Sequence, residues 1–141
     1  QAFVQWMTTA GWFDDRLFRN GDNTEEGGYR LTREILAERR PVDAIITFND
    51  SMAIGTYRAL HEAGLSIPGD IGVASFNDIS VAQFLNPPLT TVHLPAEEIG
   101  ETAVELLLER VGGRDLAKQI SLASRIVWRA STRALADEQA R

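Results

Sequence analysis

The chain contains no cysteine among its 141 residues. Disulfide bonds and metal sites built on thiolates are therefore excluded. Basic residues are fewer than acidic ones, 14 against 20, and the net charge of −6 argues against nucleic-acid binding by this segment, because such surfaces are basic. The sequence shows neither a signal peptide nor an apolar run long enough to cross a membrane, so we expect a cytoplasmic protein with no membrane partner.

The chain also has little of the chemistry that enzymes use. Its two histidines, His61 and His93, lie far apart in the sequence, and neither belongs to a nucleophile motif with serine or cysteine. Metal-site spacings are absent, and the two Gly-Gly pairs are not part of a phosphate-binding motif. We therefore expect a protein that is not an enzyme and has no metal or cofactor. We assign His61 to helix-end electrostatics, whereas His93 either lines a crevice or fills space.

What is present is a strand that runs directly into a helix. Residues 44–48 are nearly all apolar, which predicts a strand buried on both faces of a parallel sheet. Asn49, Asp50 and Ser51 follow at once, and any of them can cap a helix over residues 52–63 that ends at Gly64. Ligands of open α/β sheets bind at this carboxyl edge of the strands.

The same unit recurs further along the chain. Residues 71–76 form a second apolar strand, and Asn77 and Asp78 stand where Asn49 and Asp50 stood. Two such pairs at neighbouring strand ends would point into one crevice. Capping and turn formation alone account for an aspartate, so both interpretations stay open for Asp50 and Asp78. For Asn49 and Asn77 we favour a ligand site.

The remaining pattern alternates helices and strands, which predicts a parallel sheet with right-handed crossovers. The chain begins within an amphipathic pattern, as expected for the back part of a longer protein. The predicted elements are a first helix ended by Gly11, a short strand before Asn20, a helix from Thr24 to Arg40, a helical turn over 81–85, a strand near the sheet edge over 89–94, a helix over 95–111, a strand over 120–128 and a frayed tail over 134–141.

Two apolar clusters have two interpretations each. Residues 52–57 are too continuously apolar for a single helix stripe, so either this helix is buried on several sides or part of it contacts another chain. Val81, Phe84 and Leu85 are likewise core residues or a dimer contact. The helix over 95–111 has an apolar stripe that needs a partner, and we expect it to dock on a neighbouring chain or to be mobile.

Three stretches together resemble the LacI/GalR family of bacterial transcription regulators: DAIITFNDSMAIG over 43–55, GLSIPGDIGV over 64–73 and PPLTTV over 87–92. The stretches SFNDI over 75–79 and WRAST over 128–132 are similar to the branch that regulates galactoside utilisation. The resemblance covers essentially the whole chain. It implies an α/β, parallel-sheet, periplasmic-binding-protein-like (type I) fold, of which this chain is mostly the C-terminal subdomain.

The resemblance also implies how the chain is divided. Residues 1–94 and 119–133 would belong to the C-terminal subdomain, and the helix over 95–113 to the N-terminal subdomain. The DNA-binding helix-turn-helix would lie outside this chain. The implied function is the sugar-binding and dimerisation region of a repressor of carbohydrate-utilisation genes, relieved by a sugar and bound to operator DNA through the missing domain. The alternatives are a periplasmic sugar-binding protein of a transporter and a small α/β enzyme, which lacks a nucleophile–base pair.

Residue roles follow from the resemblance position by position. Asn49 and Asn77 match effector-contacting positions, and Asn23 matches a position that is often aromatic. Asp50 and Asp78 complete the set of effector candidates. The residues that match surfaces used for homodimerisation are Met52, Ile54, Gly55, Tyr57, Arg58, Val81, Phe84 and Leu85.

Overall fold

The computed structural model describes residues 2–133. Its four α-helices and four strands are α1 Ala2–Thr9, α2 Glu25–Ala37, β1 Ala44–Ile46, α3 Asp50–Glu62, β2 Gly72–Asn77, β3 Thr90–His93, α4 Ala96–Val111 and β4 Arg125–Val127. Two short 3-10 helices lie over Asp15–Leu17 and Ser80–Phe84. Within the described residues, none of the helices has both the length and the apolar character needed to cross a membrane.

The four strands form one sheet in the order β1-β2-β3-β4. The first three are parallel, with Ile46 opposite Ala74 and Asn77 opposite His93. Strand β4 runs antiparallel to β3 and places Ile126 opposite Val92. The α/β class and the parallel pairing predicted from the sequence are confirmed. The predicted position of β3 near an edge agrees with the strand order, since β3 lies next to the edge strand β4.

One face of the sheet carries the hydrophobic core. Helix α3 lies on this face and contributes Ala53, Tyr57 and Leu60, which are buried against residues of the strands and loops. Burying a large apolar side chain stabilises the fold by roughly 1.5–3 kcal/mol. The other members of this core are Ile45, Ile67, Ile71, Val73, Ala82 and Leu89.

The opposite face of the sheet is open. In β1 and the residues after it, Ile45 and Thr47 are buried, whereas Ile46 and Phe48 are 54% and 70% exposed. The prediction of a strand buried on both faces is therefore wrong, because successive side chains alternate between a covered and an open face. Phe76, Ile126 and Trp128 are exposed as well.

Helix α2 packs along α3 rather than on the sheet, and glycines make the contact close. A Cβ atom on Gly55 would lie 1.8 Å from the Glu25 carbonyl oxygen, and one on Gly28 would lie 2.1 Å from the Met52 carbonyl oxygen. Thr32 and Thr56 share a buried hydroxyl hydrogen bond of 2.9 Å between the two helices. The glycine at position 28 is therefore explained by close backbone packing, not by the approach of a ligand.

Three local predictions need correction. The strand expected before Asn20 is a 3-10 turn, because the Asp14 carboxylate accepts a hydrogen bond from the backbone N–H of Arg16 and favours that turn. The last strand covers only Arg125–Val127 of the predicted 120–128. Helix α2 ends at Ala37, and Arg39 has a φ of +52°, which ends the helical conformation before Arg40. The predicted tail over 134–141 lies outside the described residues.

Helix α4 has no buried residue. Val104, Leu107 and Leu108 on this helix are all more than half exposed. Within the described part of the chain, its apolar stripe has no partner, as expected from the sequence. The assignment of this helix to another subdomain stays a prediction.

The close α2–α3 contact generates a stability prediction. Gly55→Ala should lower the free energy of unfolding by about 1–3 kcal/mol, because the new methyl group has no space beside Glu25 and Tyr29. Chemical denaturation of both proteins measures this difference. Gly100→Ala in α4 is the matched control: its Cβ would meet nothing within 4 Å, so stability should stay equal or rise by up to about 1 kcal/mol. Equal stability of the Gly55→Ala variant and the unsubstituted protein would contradict the packing argument.

Candidate functional site

Asn49 lies at the junction between β1 and α3 and caps the helix. Its side-chain oxygen accepts a hydrogen bond of 2.8 Å from the backbone N–H of Met52. Its side-chain nitrogen donates to the carbonyl oxygen of Asn23 at 3.1 Å. The residue is half-buried, and each amide atom keeps one further hydrogen-bonding position. Capping is therefore one role of Asn49, and an effector contact stays a prediction.

Asn23 lies in the exposed loop that precedes α2. It is joined to Asn49 through its own backbone carbonyl, which leaves its side chain free to contact a ligand. The structure thus brings Asn23 and Asn49 together, although they are 26 positions apart.

Asp50 lies behind this edge of the sheet. The residue is 1% exposed. One carboxylate oxygen accepts a hydrogen bond of 2.7 Å from the Thr91 hydroxyl, and the other accepts one of 2.8 Å from the backbone N–H of Ile79. A side chain with this burial and these partners has no surface for a ligand, so we remove Asp50 from the effector candidates. Its role is to connect the start of α3 to β3 and to the loop after β2.

Asn77 and Asp78 form a turn in an uncommon backbone conformation. Their φ angles are +108° and +60°, in a region that L-residues rarely adopt. The Asn77 side chain is exposed at the carboxyl end of β2 and has no hydrogen-bond partner among the described residues. An amide group that points out of such a turn is available to a ligand.

The Asp78 carboxylate, by contrast, is held by two cationic or polar side chains. Arg129 donates to one oxygen at 2.7 Å, and Nδ1 of His93 lies 3.1 Å from the other. Partial burial acts to raise the pKa of Asp78, but the hydrogen bond and charge of Arg129 outweigh it, so the pKa lies below its ordinary value. Asp78 therefore supports the turn rather than presenting free oxygen atoms, and we treat it as structural.

Arg129 is the residue that the sequence interpretation missed. It lies 51 positions from Asp78, so no local spacing connects the two. The sequence allows His93 either to line a crevice or to fill space, and the structure places it beside Asp78 at the carboxyl end of β3. Among residues 2–133, no group of three or more His, Asp or Glu side chains is arranged to hold a metal ion. Asn49 and Asn77 place neutral amides at this edge, and amides both donate and accept hydrogen bonds.

The residues expected at a dimer surface fall into two groups. Met52, Gly55 and Tyr57 are buried within this chain. The Tyr57 hydroxyl donates to the Pro87 carbonyl at 2.9 Å, and burial raises the pKa of Tyr57 to about 12. Leu85 is half-buried against the core. Met52, Gly55 and Tyr57 are therefore part of the fold of the chain, whereas Leu85 keeps a partly exposed side chain.

The second group remains on the surface. Ile54 and Arg58 line a cleft of about 590 Å³ between the first turns of α2 and α3. The Arg58 guanidinium lies 4.4 Å from the ring centre of Tyr29 and forms an ion pair of 2.9 Å with Glu62. Val81 and Phe84 are exposed, the latter by 76%. A dimer interface built on these four residues stays a prediction.

Comparison with known proteins places this geometry in a family. Residues 1–132 match the model of the periplasmic binding protein-like domain. The chain is 60% identical over 109 residues to the lactose operon repressor of Rhizobium radiobacter, which covers 77% of this chain and 96% of that protein. The chain belongs to the LacI/GalR family. The recognition made from the sequence motifs is confirmed.

Other members of the LacI/GalR family match a smaller part of their own length. The ribose operon repressor of Escherichia coli K12 is 41% identical over 99 residues, which are 70% of this chain and 30% of that protein. A LacI-family regulator from Enterococcus faecium with bound ribose has a TM-score of 0.72 and 34% sequence identity. The match covers 80% of this chain and 42% of the regulator chain. A complex of the regulator CelR with cellobiose has a TM-score of 0.83 and 30% sequence identity, and the match covers 93% of this chain and 41% of the CelR chain. The chain thus spans less than half of these relatives.

The lowered pKa of Asp78 generates a prediction on pH dependence. A group whose pKa is lowered by folding contributes stability above its unfolded pKa of about 3.9, and this contribution disappears as the pH falls through the folded pKa. Asp78→Asn should therefore lower the free energy of unfolding at neutral pH, by about 1.5–3 kcal/mol for a charged hydrogen bond. The difference between the two proteins should shrink below about pH 4.

Urea denaturation of both proteins between pH 3 and pH 7 measures this difference. Asparagine tolerates positive φ as aspartate does, so the substitution changes the charge without changing the turn preference. The other carboxylates titrate in both proteins and cancel in the comparison. A difference that stays constant down to pH 3 would contradict the assigned ion pair.

Proposed function

We propose that this chain is the effector-binding and dimerisation region of a transcriptional repressor of carbohydrate-utilisation genes, and that a sugar relieves the repression. The names of its relatives support this proposal, since they include repressors of a lactose and a ribose operon and regulators solved with ribose and cellobiose. Operator DNA would be bound through a domain outside this chain. The protein would act in the cytoplasm, without a cofactor and without catalysis.

The observation that carries the proposal is the pair of amides at two neighbouring strand ends. Asn49 follows β1 and Asn77 ends β2, and these strands are adjacent and parallel. The carboxyl edge of such strands is where open α/β sheets bind ligands. Sugar hydroxyl groups both donate and accept hydrogen bonds, as amides do. Among the two functions that share this fold, the repressor names favour regulation over transport.

The mechanism is a shift between two arrangements of the protein. A sugar that binds one arrangement more tightly than the other changes their populations, and the DNA-binding domains respond to that change. The site would be completed by a second subdomain. The exposed apolar stripe of α4 supports this division, because Val104, Leu107 and Leu108 would pack against that subdomain.

The sugar proposal is tested by thermal unfolding of the full-length protein with galactose, lactose, ribose and cellobiose. A ligand that binds only the native state raises the midpoint, by an amount that grows with its concentration. We expect a rise with at least one galactoside and a clearly smaller rise in Asn77→Ala at the same sugar concentration, because the amide group contacts the sugar.

Arg125→Ala is the control, since Arg125 is exposed on β4 at the same edge of the sheet, opposite His93. It should keep the sugar-dependent rise. If none of the sugars raised the midpoint of the unsubstituted protein, the sugar assignment would be wrong while the fold would stand. An unchanged rise in Asn77→Ala would remove this residue from the site.

We also propose that the protein forms a homodimer through the surface that contains Ile54, Arg58, Val81 and Phe84. Phe84 is a large apolar side chain left in water, and such exposure is typical of contact sites. Ile54 and Arg58 line the cleft beside Tyr29. Aromatic and arginine side chains dominate the energy of many interfaces.

Sedimentation of the full-length protein tests the dimer proposal. Phe84→Glu should convert the dimer to a monomer at micromolar concentration, because it places a charge where the proposed dimer would bury an apolar side chain. The control is Leu116→Glu, which changes a side chain that is 82% exposed and lies in the loop after α4. A Phe84→Glu variant that stays dimeric would refute the proposed interface.

A further inference from the structure

The turn of Asn77 and Asp78 is the least relaxed part of the candidate site. Both residues have positive φ, and the +108° of Asn77 lies beyond the left-handed helical region that asparagine tolerates best. A non-glycine residue in such a conformation persists only when its surroundings hold it there. This conformation sets the direction of the exposed Asn77 amide, which has no hydrogen-bond partner among the described residues.

Two carboxylates hold this turn. Asp50, buried at the start of α3, accepts the backbone N–H of Ile79 at 2.8 Å, directly after the turn. Asp78, within the turn, is bound by Arg129 at 2.7 Å and lies beside His93. The turn is therefore fixed at its exit by the backbone and at its centre by a side-chain ion pair.

Arg129 is itself held firmly. Its second guanidinium nitrogen donates to the Leu89 carbonyl oxygen at 2.9 Å, and its backbone N–H donates to the Thr90 hydroxyl at 2.9 Å. Its side chain is 19% exposed. A planar guanidinium with two fixed partners defines a direction as well as a charge, which a flexible ammonium group does less well.

We propose that Arg129 is a positioning residue for the sugar site: through the Asp78 carboxylate it holds the left-handed turn in the conformation that presents the Asn77 amide. This inference rests on the proposed function for its sugar, but its structural part does not. Arg129 has no contact with the ligand in this view. It acts from a segment after β4 on a turn 51 positions earlier in the chain.

The first test is a crystal structure of the Arg129→Gln variant of the full-length protein, without sugar. We expect Asn77 and Asp78 to leave the positive-φ conformation or to adopt more than one conformation. Arg129→Lys, which keeps the charge opposite Asp78, should retain the turn. An unchanged turn in Arg129→Gln would overturn the proposal, whether or not the protein binds a sugar.

The second test measures the affinity for the sugar that gives the largest thermal shift, by titration calorimetry. Arg129→Gln should weaken binding about tenfold. Expressed as a free energy, this change lies at the lower end of the cost of holding one residue in a strained backbone conformation. Arg129→Lys should recover part of the affinity, because lysine restores the charge opposite Asp78 but not the fixed direction of the guanidinium. In an Asn77→Gly background, Arg129→Gln should change affinity less than about twofold, because no amide is left to position.

Arg133→Gln serves as the matched control. Arg133 also donates to backbone carbonyls, of Pro68 and Gly69, but in a turn that does not touch the site. It should lower stability and leave sugar affinity unchanged. If Arg133→Gln weakened sugar binding as much as Arg129→Gln, or if Arg129→Gln were equally harmful in the Asn77→Gly background, a specific positioning role would be refuted. Absence of sugar binding by the unsubstituted protein would refute the proposed function. The crystal structure of Arg129→Gln would then still show whether Arg129 holds the turn.

Discussion

The arrangement of the site depends on one buried carboxylate. Asp50 begins α3, and its two oxygens bind the Thr91 hydroxyl of β3 and the backbone N–H of Ile79 after β2. Burying a carboxylate without hydrogen bonds would destabilise the folded state by several kcal/mol. The fold is therefore strongly favoured only when both hydrogen bonds of Asp50 are formed. Because each bond comes from a different element, the start of α3, strand β3 and the loop after β2 are held in one relative position. The surface in front of Asp50 is consequently a rigid edge on which side chains such as Asn77 have defined directions.

The second constraint is the close contact of α2 with α3. Glycines at positions 28 and 55 bring the backbones together, and the Thr32–Thr56 hydrogen bond crosses between the helices. This contact carries the Asn23 loop to Asn49, whose side chain donates to the Asn23 carbonyl. The same contact forms the cleft lined by Ile54 and Arg58. The candidate ligand edge and the proposed dimer surface therefore share α3.

The local sequence predicted which residues lie at the candidate site. It did not predict which of them are available to a ligand and which support the fold. Asn49 and Asn77 were placed at strand ends because an apolar run followed by a polar cap is a local pattern. The aspartates beside them looked equivalent in sequence, yet Asp50 is buried and Asp78 is paired with Arg129. The apolar residues 52–57 were open to two interpretations, and the structure divides them, with Tyr57 in the core and Ile54 in a surface cleft.

The sequence by itself determined the α/β class, the Thr24 cap of α2, a cap for α3 within residues 49–51, and the family, because each depends on residues close together in the chain or on motifs in order. Tertiary structure alone decided which face of the sheet is open, which carboxylates are structural and which cation supports the Asn77 turn. The reason is that hydrogen-bond partners such as Asp78 and Arg129 meet only after the chain has folded. Periodicity reports that a segment is apolar, but it does not report what covers it, as Ile46 and Phe48 show.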